Sequence, residues 1–119
     1  MVDDRHGRLL VFGGRDYADR AVVRALVGAL DPGCTLVHGS AEGADRMAAT
    51  FAVGRGMKVD PYPADWHRHG RVAGPIRNRE MARSGLDVAF ALPGGRGTKS
   101  MAREAARAGV PIFALIVPP

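Results

Sequence analysis

Residues 86–98 read Leu86-Asp87-Val88-Ala89-Phe90-Ala91-Leu92-Pro93-Gly94-Gly95-Arg96-Gly97-Thr98: a short apolar run, three glycines within four residues, then a threonine suited to capping a helix. The apolar run predicts a buried strand, and Thr98 predicts the cap of a helix reaching about Ala108. Glycine-rich turns between a strand and a helix cost backbone entropy, so their presence calls for a reason. Without Cβ atoms, such a turn brings backbone N–H groups close to an anion, and the positive end of the following helix adds to the attraction.

The same alternation recurs on both sides of this stretch. Leu9-Leu10-Val11-Phe12 predicts a first strand ending at Gly13-Gly14, and Val23, Leu26, Val27 and Leu30 form a helical stripe after the N-cap candidate Asp19. Cys34 to His38 predicts a second strand, followed by the stripe Ala44, Met47, Ala48, Phe51 and Ala52. Lys58 to Tyr62 predicts a third strand whose Pro61 fits a sheet edge. A helix from about Pro75 to Ser84, the Leu86–Leu92 strand, and a fifth strand from Val110 to Val117 complete the pattern. Strands alternating with helices predict an α/β fold with right-handed crossovers, a mainly parallel five-stranded sheet and three layers. The 119 residues fit one domain, 1–119.

Composition limits the function classes. One cysteine, Cys34, excludes an intrachain disulfide and fits a reducing cytoplasm. No apolar run reaches membrane-spanning length and the amino-terminal residues are charged, so neither anchor nor signal peptide is expected, and no membrane partner. Seventeen basic against twelve acidic residues favour an anionic partner. Arg68, Arg71, Arg77, Arg79 and Arg83, set against Glu80 alone, hold most of that excess. His67 and His69 lack an acidic cluster and read as loop histidines, so no metal and no cofactor is predicted.

The unusual residues fall after the strands, where open α/β sheets bind ligands. Gly13, Gly14, Arg15 and Asp16 follow the first strand; His38, Gly39, Gly43 and Asp45 follow the second; Trp66 follows the third; Gly94, Gly95, Gly97 and Thr98 follow the fourth. Helical spacing puts Arg77, Met81 and Ser84 on one face, turning Arg77 inward beside Asn78. His38 suits either a ligand contact or a satisfied structural histidine, and Trp66 either stacks on a base or covers the sheet edge.

Five ordered motifs, Gly13 to Tyr17, His38 to Asp45, Ala64-Asp65-Trp66, Ala73 to Met81 and Pro93 to Thr98, resemble the YspA/YpsA-related branch of the SLOG superfamily. The resemblance implies a Rossmann-like fold related to Lonely Guy phosphoribohydrolases, molybdenum-cofactor carriers and the Rossmann domain of the DNA-processing protein. It implies a nucleotide-like ligand and a homodimer. The phosphoribohydrolases carry a glutamate three residues after the Gly-Thr pair; here that position holds Met101, and Glu104 lies one turn later. The expectation is therefore a sensor or carrier domain for a phosphorylated nucleotide-like molecule. An N-glycosidase using Arg77 with Glu104 or Asp45 is the enzymatic alternative, and nucleic-acid binding through the Arg68–Arg83 surface is the third.

Overall fold

The computed structural model describes residues 7–115. Five strands form one sheet: β1 (Arg8–Phe12), β2 (Thr35–His38), β3 (Lys58–Pro61), β4 (Val88–Ala91) and β5 (Ile112–Ala114). Their order is β3-β2-β1-β4-β5, and all four pairings are parallel. The fold is thus α/β and Rossmann-like, with a sheet that is parallel throughout rather than mainly so. Of the fifth strand expected over 110–117, three residues pair, and positions 116 and 117 lie outside the described residues.

Alternation along β1 feeds two cores. Leu9 and Val11 pack with Val23 and Val27 of α1 (Arg20–Ala29) and Ala44, Ala48 and Ala52 of α2 (Ala44–Gly54). Leu10 and Phe12 point the other way, toward a second pair of helices. These are α4 (Ala73–Ala82), contributing Met81 and Ala82, and α5 (Arg96–Arg107), contributing Met101 and Ala105. Both faces of the central strand are covered, so its four apolar residues run without a polar break. β3 is an edge strand, as Pro61 requires.

Polar contacts fix the ends of these elements. Asp19 caps α1 by accepting from the Val22 N–H at 3.2 Å, as its position in the sequence indicates. The Arg55 guanidinium donates to Val27 O and Leu30 O at the opposite end of that helix, where a cation meets the negative end of its dipole. Arg8 opens β1 with a cluster beneath the end of α4, donating to Asp60 Oδ2 at 2.9 Å, Ser84 Oγ at 3.0 Å and Tyr62 Oη at 3.2 Å.

Two local features differ from the sequence expectation. Residues 66–72 are not a loop: α3 (Trp66–His69) and a 3-10 turn (Gly70–Val72) lead directly into α4, which starts at Ala73. Asp65 caps α3 by accepting from the Arg68 N–H at 3.0 Å. The second difference is at α5, which begins at Arg96 with Gly95 in the N-cap position, so Thr98 sits inside its first turn instead of capping it.

Gly43 carries the tightest backbone requirement. Its φ is +75°, and a Cβ there would collide with the carbonyl oxygens of Gly14 and Arg15. Gly43→Ala should therefore lower stability by at least about 2 kcal/mol. Gly54→Ala, where a Cβ meets nothing within 4 Å, should be neutral or stabilise by up to about 1 kcal/mol. Urea unfolding of the two variants checks this contrast.

Candidate functional site

At the carboxyl ends of the strands, the loops after β1, β2 and β4 enclose a cleft of about 780 Å³, a volume within the ordinary range for small-molecule sites. The cleft lies where strand order reverses between β1 and β4. The helices that follow these neighbouring strands pack on opposite faces of the sheet, and their loops part to leave the opening.

The loops approach each other closely. Gly14 N donates to Pro93 O at 2.9 Å, tying the β1 loop to the β4 loop, and Ala44 N donates to Gly14 O at 3.3 Å. A Cβ on Gly13 would stand 2.8 Å from the Cβ atoms of both Ala44 and Leu92. One on Gly94 would strike Thr98 Oγ1 and Gly14 N. Glycine at these positions is a packing requirement of the closed loop cluster.

One wall is the start of α5. Its N-cap, Gly95, makes no side-chain capping bond, and its first turn has no acidic residue. Gly95, Arg96, Gly97 and Thr98 all line the cleft. The early N–H groups of a helix lack intrahelical acceptors and sit at its positive end, so this wall is built to meet an anion.

The floor is a polar chain. Arg77 on α4 donates from Nη1 to Gly39 O and to Tyr62 O, and from Nε to Asn78 Oδ1 at 2.8 Å. Asn78 Nδ2 continues to Ser100 Oγ at 3.2 Å. Arg77 thus braces the β2 loop, the end of β3 and α4 together, and Asn78 links α4 to α5. Burial lowers the Arg77 pKa from its usual value, and the nearby Asp45 carboxylate opposes that shift.

Asp45 lies in the first turn of α2 and is 5% exposed. Its Oδ2 accepts from Gly39 N at 2.9 Å, and N–H groups of Ala41 and Gly13 also act on the carboxylate, so it gathers two loops. Burial pushes its pKa up to about 6, against the lowering pull of Gly39 N–H, the Arg77 guanidinium, Ala41 N–H and Gly13 N–H.

Twelve of the residues singled out from sequence line the cleft: Gly13, Gly14, Arg15, Asp16, Gly39, Asp45, Trp66, Arg77, Asn78, Gly95, Gly97 and Thr98. His38, Gly43 and Gly94 do not. His38 is buried, its Nδ1 accepts from Ser40 N at 2.9 Å, and burial lowers its pKa with help from Arg77, while Asp60 opposes. Gly43 and Gly94 act through loop packing. Glu104, a candidate for chemistry, is held by Arg79 at 3.8 Å and Arg107 at 3.5 Å and does not line the cleft. Met101 occupies the lining instead and is 2% exposed.

Sequence reasoning missed Ser100 as a lining residue, along with the Pro63-Ala64 and Gly74-Pro75 walls beside Trp66. Ser100 carried a usable signal, one helical turn after Gly97 on the inward face. Ser40 has φ of +63°, unusual for a residue with a side chain. Among the described residues, no cluster of three or more His, Cys, Asp or Glu is placed to hold a metal ion, and no helix is long and apolar enough to cross a membrane.

Comparison with known proteins adds three similarities. The family model described as YAcAr: YspA, cpYpsA-related SLOG family matches residues 7–69, a span holding the loops after β1, β2 and β3. The Gene 61 protein of Mycobacterium phage D29 is 44% identical over 117 residues, covering 89% of this chain and 94% of the phage protein. The structure of DNA processing protein A (DprA) from Streptococcus pneumoniae superposes with a TM-score of 0.75 at 18% identity, over 96% of this chain. This chain spans about half of DprA, 52% of its length, and the likeness is one of fold.

Asp45 sets a pH dependence of stability. Its folded pKa of about 6 lies above the ordinary 3.8, so the folded state holds the proton more tightly. Its contribution is complete below about pH 4 and is lost as pH rises through about 6, by about 3 kcal/mol for a shift of about two units. Asp45→Asn removes that titration. Urea unfolding should show wild type gaining stability relative to Asp45→Asn as pH falls from 7 to 4; a constant difference across that range would refute the assignment.

Proposed function

Because the chain belongs to the YspA, cpYpsA-related SLOG family, we propose that it binds a nucleotide or nucleotide-derived phosphorylated small molecule, as a sensor or carrier domain. The observation that carries the reading is the convergence of the uncapped start of α5 with the β1 and β2 loops around one cleft. The phosphate rests against the first-turn N–H groups at Arg96, Gly97 and Thr98. Gly13 to Asp16 forms the opposite wall, and Arg77 contributes positive charge at the floor. Arg77 Nη1 and Nε are committed to protein acceptors, which leaves its remaining terminal nitrogen as the group that would meet the ligand. Trp66, 59% exposed and next to Gly74 at the rim, offers a flat surface to a base.

Binding without glycosidic cleavage is favoured by the acid side chains. Met101 supplies an apolar atom set where the related hydrolases carry a carboxylate, and Glu104 is engaged by two arginines. Glycosidic chemistry needs an acid or base in tight geometry with the scissile bond. Asp45 is occupied in holding the Gly13 and Gly39–Ala41 loops.

Gly97→Asp separates this reading from a structural role for the loop. A Cβ at Gly97 meets nothing within 4 Å, and a carboxylate in the first turn of a helix is favourable to it by about 0.3–1 kcal/mol. The variant should therefore melt at or above the wild-type temperature. Placed in the anion site, the same carboxylate should reduce affinity for nucleoside monophosphates at least tenfold, read by thermal shift or calorimetry. Unchanged affinity would place the phosphate elsewhere, and release of free base during the titration would move the reading to an enzyme.

A further inference from the structure

The positive charge of the chain is concentrated in one layer. Residues 66–107 contain nine basic and three acidic side chains, an excess of six, whereas the rest of the chain carries eight basic and nine acidic. The whole surplus belongs to the stretch forming α3, α4 and α5 with β4 between them.

Helical geometry orders it further. Arg96, Lys99, Arg103 and Arg107 fall within about 80° of one another around α5, and all four are exposed, opposite the buried Met101 and Ala105. The stripe starts at Arg96, which lines the cleft, and runs away from it for about 16 Å. Among the described residues Arg107 alone of the four forms an ion pair, with Glu104. Arg96, Lys99 and Arg103 are unneutralised by neighbours, an arrangement that costs self-repulsion along the helix and is relieved by a polyanion.

A second observation stands at the other side of the cleft mouth. Trp66 and Val72 are 59% and 56% exposed, and Arg68 and Arg71 lie between them in sequence, both exposed. An exposed indole interleaved with guanidinium groups can take an unpaired base by stacking and the adjoining phosphates by charge.

We propose that a single-stranded nucleic acid binds this layer, with its terminal nucleotide in the cleft and its backbone following Arg96, Lys99 and Arg103 along α5. The inference rests on the reading of the cleft as a nucleotide site and extends it from a free ligand to the end of a strand. The stripe spans about five nucleotides at 3.4 Å each. The cleft volume of about 780 Å³ admits a nucleotide, and a stacked, paired duplex end has neither the free base for Trp66 nor the width to enter.

The test is fluorescence anisotropy on the full chain with an internally labelled oligothymidylate, run beside thermal shift with thymidine monophosphate. Binding should weaken with salt at a log–log slope of about −2 or steeper, as three or more phosphate contacts on a single strand give. The double variant Lys99→Glu/Arg103→Glu should weaken strand binding at least tenfold. It should leave the monophosphate shift unchanged, because neither side chain lines the cleft. Excess monophosphate should compete with the strand. A normal monophosphate shift with no strand binding, with strand binding indifferent to the double reversal, or with equal affinity for a blunt duplex would overturn the proposal and leave the cleft reading intact. Absence of any monophosphate shift in the wild type would remove the cleft reading, and with it the placement of the terminal nucleotide.

Discussion

The sheet order reverses between β1 and β4, and the site depends on that reversal. Right-handed crossovers send α1 and α2 to one face of the sheet and α4 and α5 to the other. Where neighbouring strands feed opposite layers, no helix can lie across their carboxyl ends, and a crevice is left between the loops. The apolar sequence of β1 is the other side of the same constraint. A strand with helices on both faces must be apolar at successive positions, and Leu9 to Phe12 are all buried.

A crevice becomes a binding site only if its walls are polar and held still. Here the loops are held by direct backbone bonds, Gly14 to Pro93 and Ala44 to Gly14, at separations that several of the glycines make attainable. Asp45 and Arg77 act from beneath, one gathering N–H groups of the β1 and β2 loops and the other gathering carbonyls of the β2 loop and the end of β3. Both ionic groups are desolvated, and the direction of each pKa shift records that burial as its largest cause. Each partly offsets the cost of the other. On the proposed reading the cleft is organised before a ligand arrives, which would reduce the entropy that binding has to overcome.

Much of this was legible in the sequence because it follows from short-range patterns. The apolar runs and helical stripes give the alternation of strands and helices, Pro61 gives the edge strand, and the spacing of Arg77, Met81 and Ser84 turns the arginine inward. What the sequence hid is set by contacts between distant segments. Glu104 reads as a free acid one turn past a motif, yet Arg79 from the neighbouring helix and Arg107 from its own draw it out of the cleft. His38, at the end of a strand, reads equally as a ligand contact or a structural histidine, and only the folded chain shows its Nδ1 accepting from the Ser40 N–H. The cap of α5 shifts from Thr98 to Gly95 because a glycine can occupy the cap when no capping side chain is needed, an ambiguity that propensity cannot settle. The basic stripe on α5 emerges only when the helix phase is fixed by the burial of Met101 and Ala105.

On the proposed reading, the first turn of α5 is the phosphate site of a nucleotide cleft. Backbone amide NMR of the 15N-labelled protein, titrated with a nucleoside monophosphate and separately with inorganic phosphate, tests it most directly. Both ligands should shift the amides of Arg96, Gly97 and Thr98, and the nucleotide alone should also move the Trp66 indole resonance. Shifts confined to surface arginines elsewhere, or a spectrum indifferent to both ligands, would contradict it.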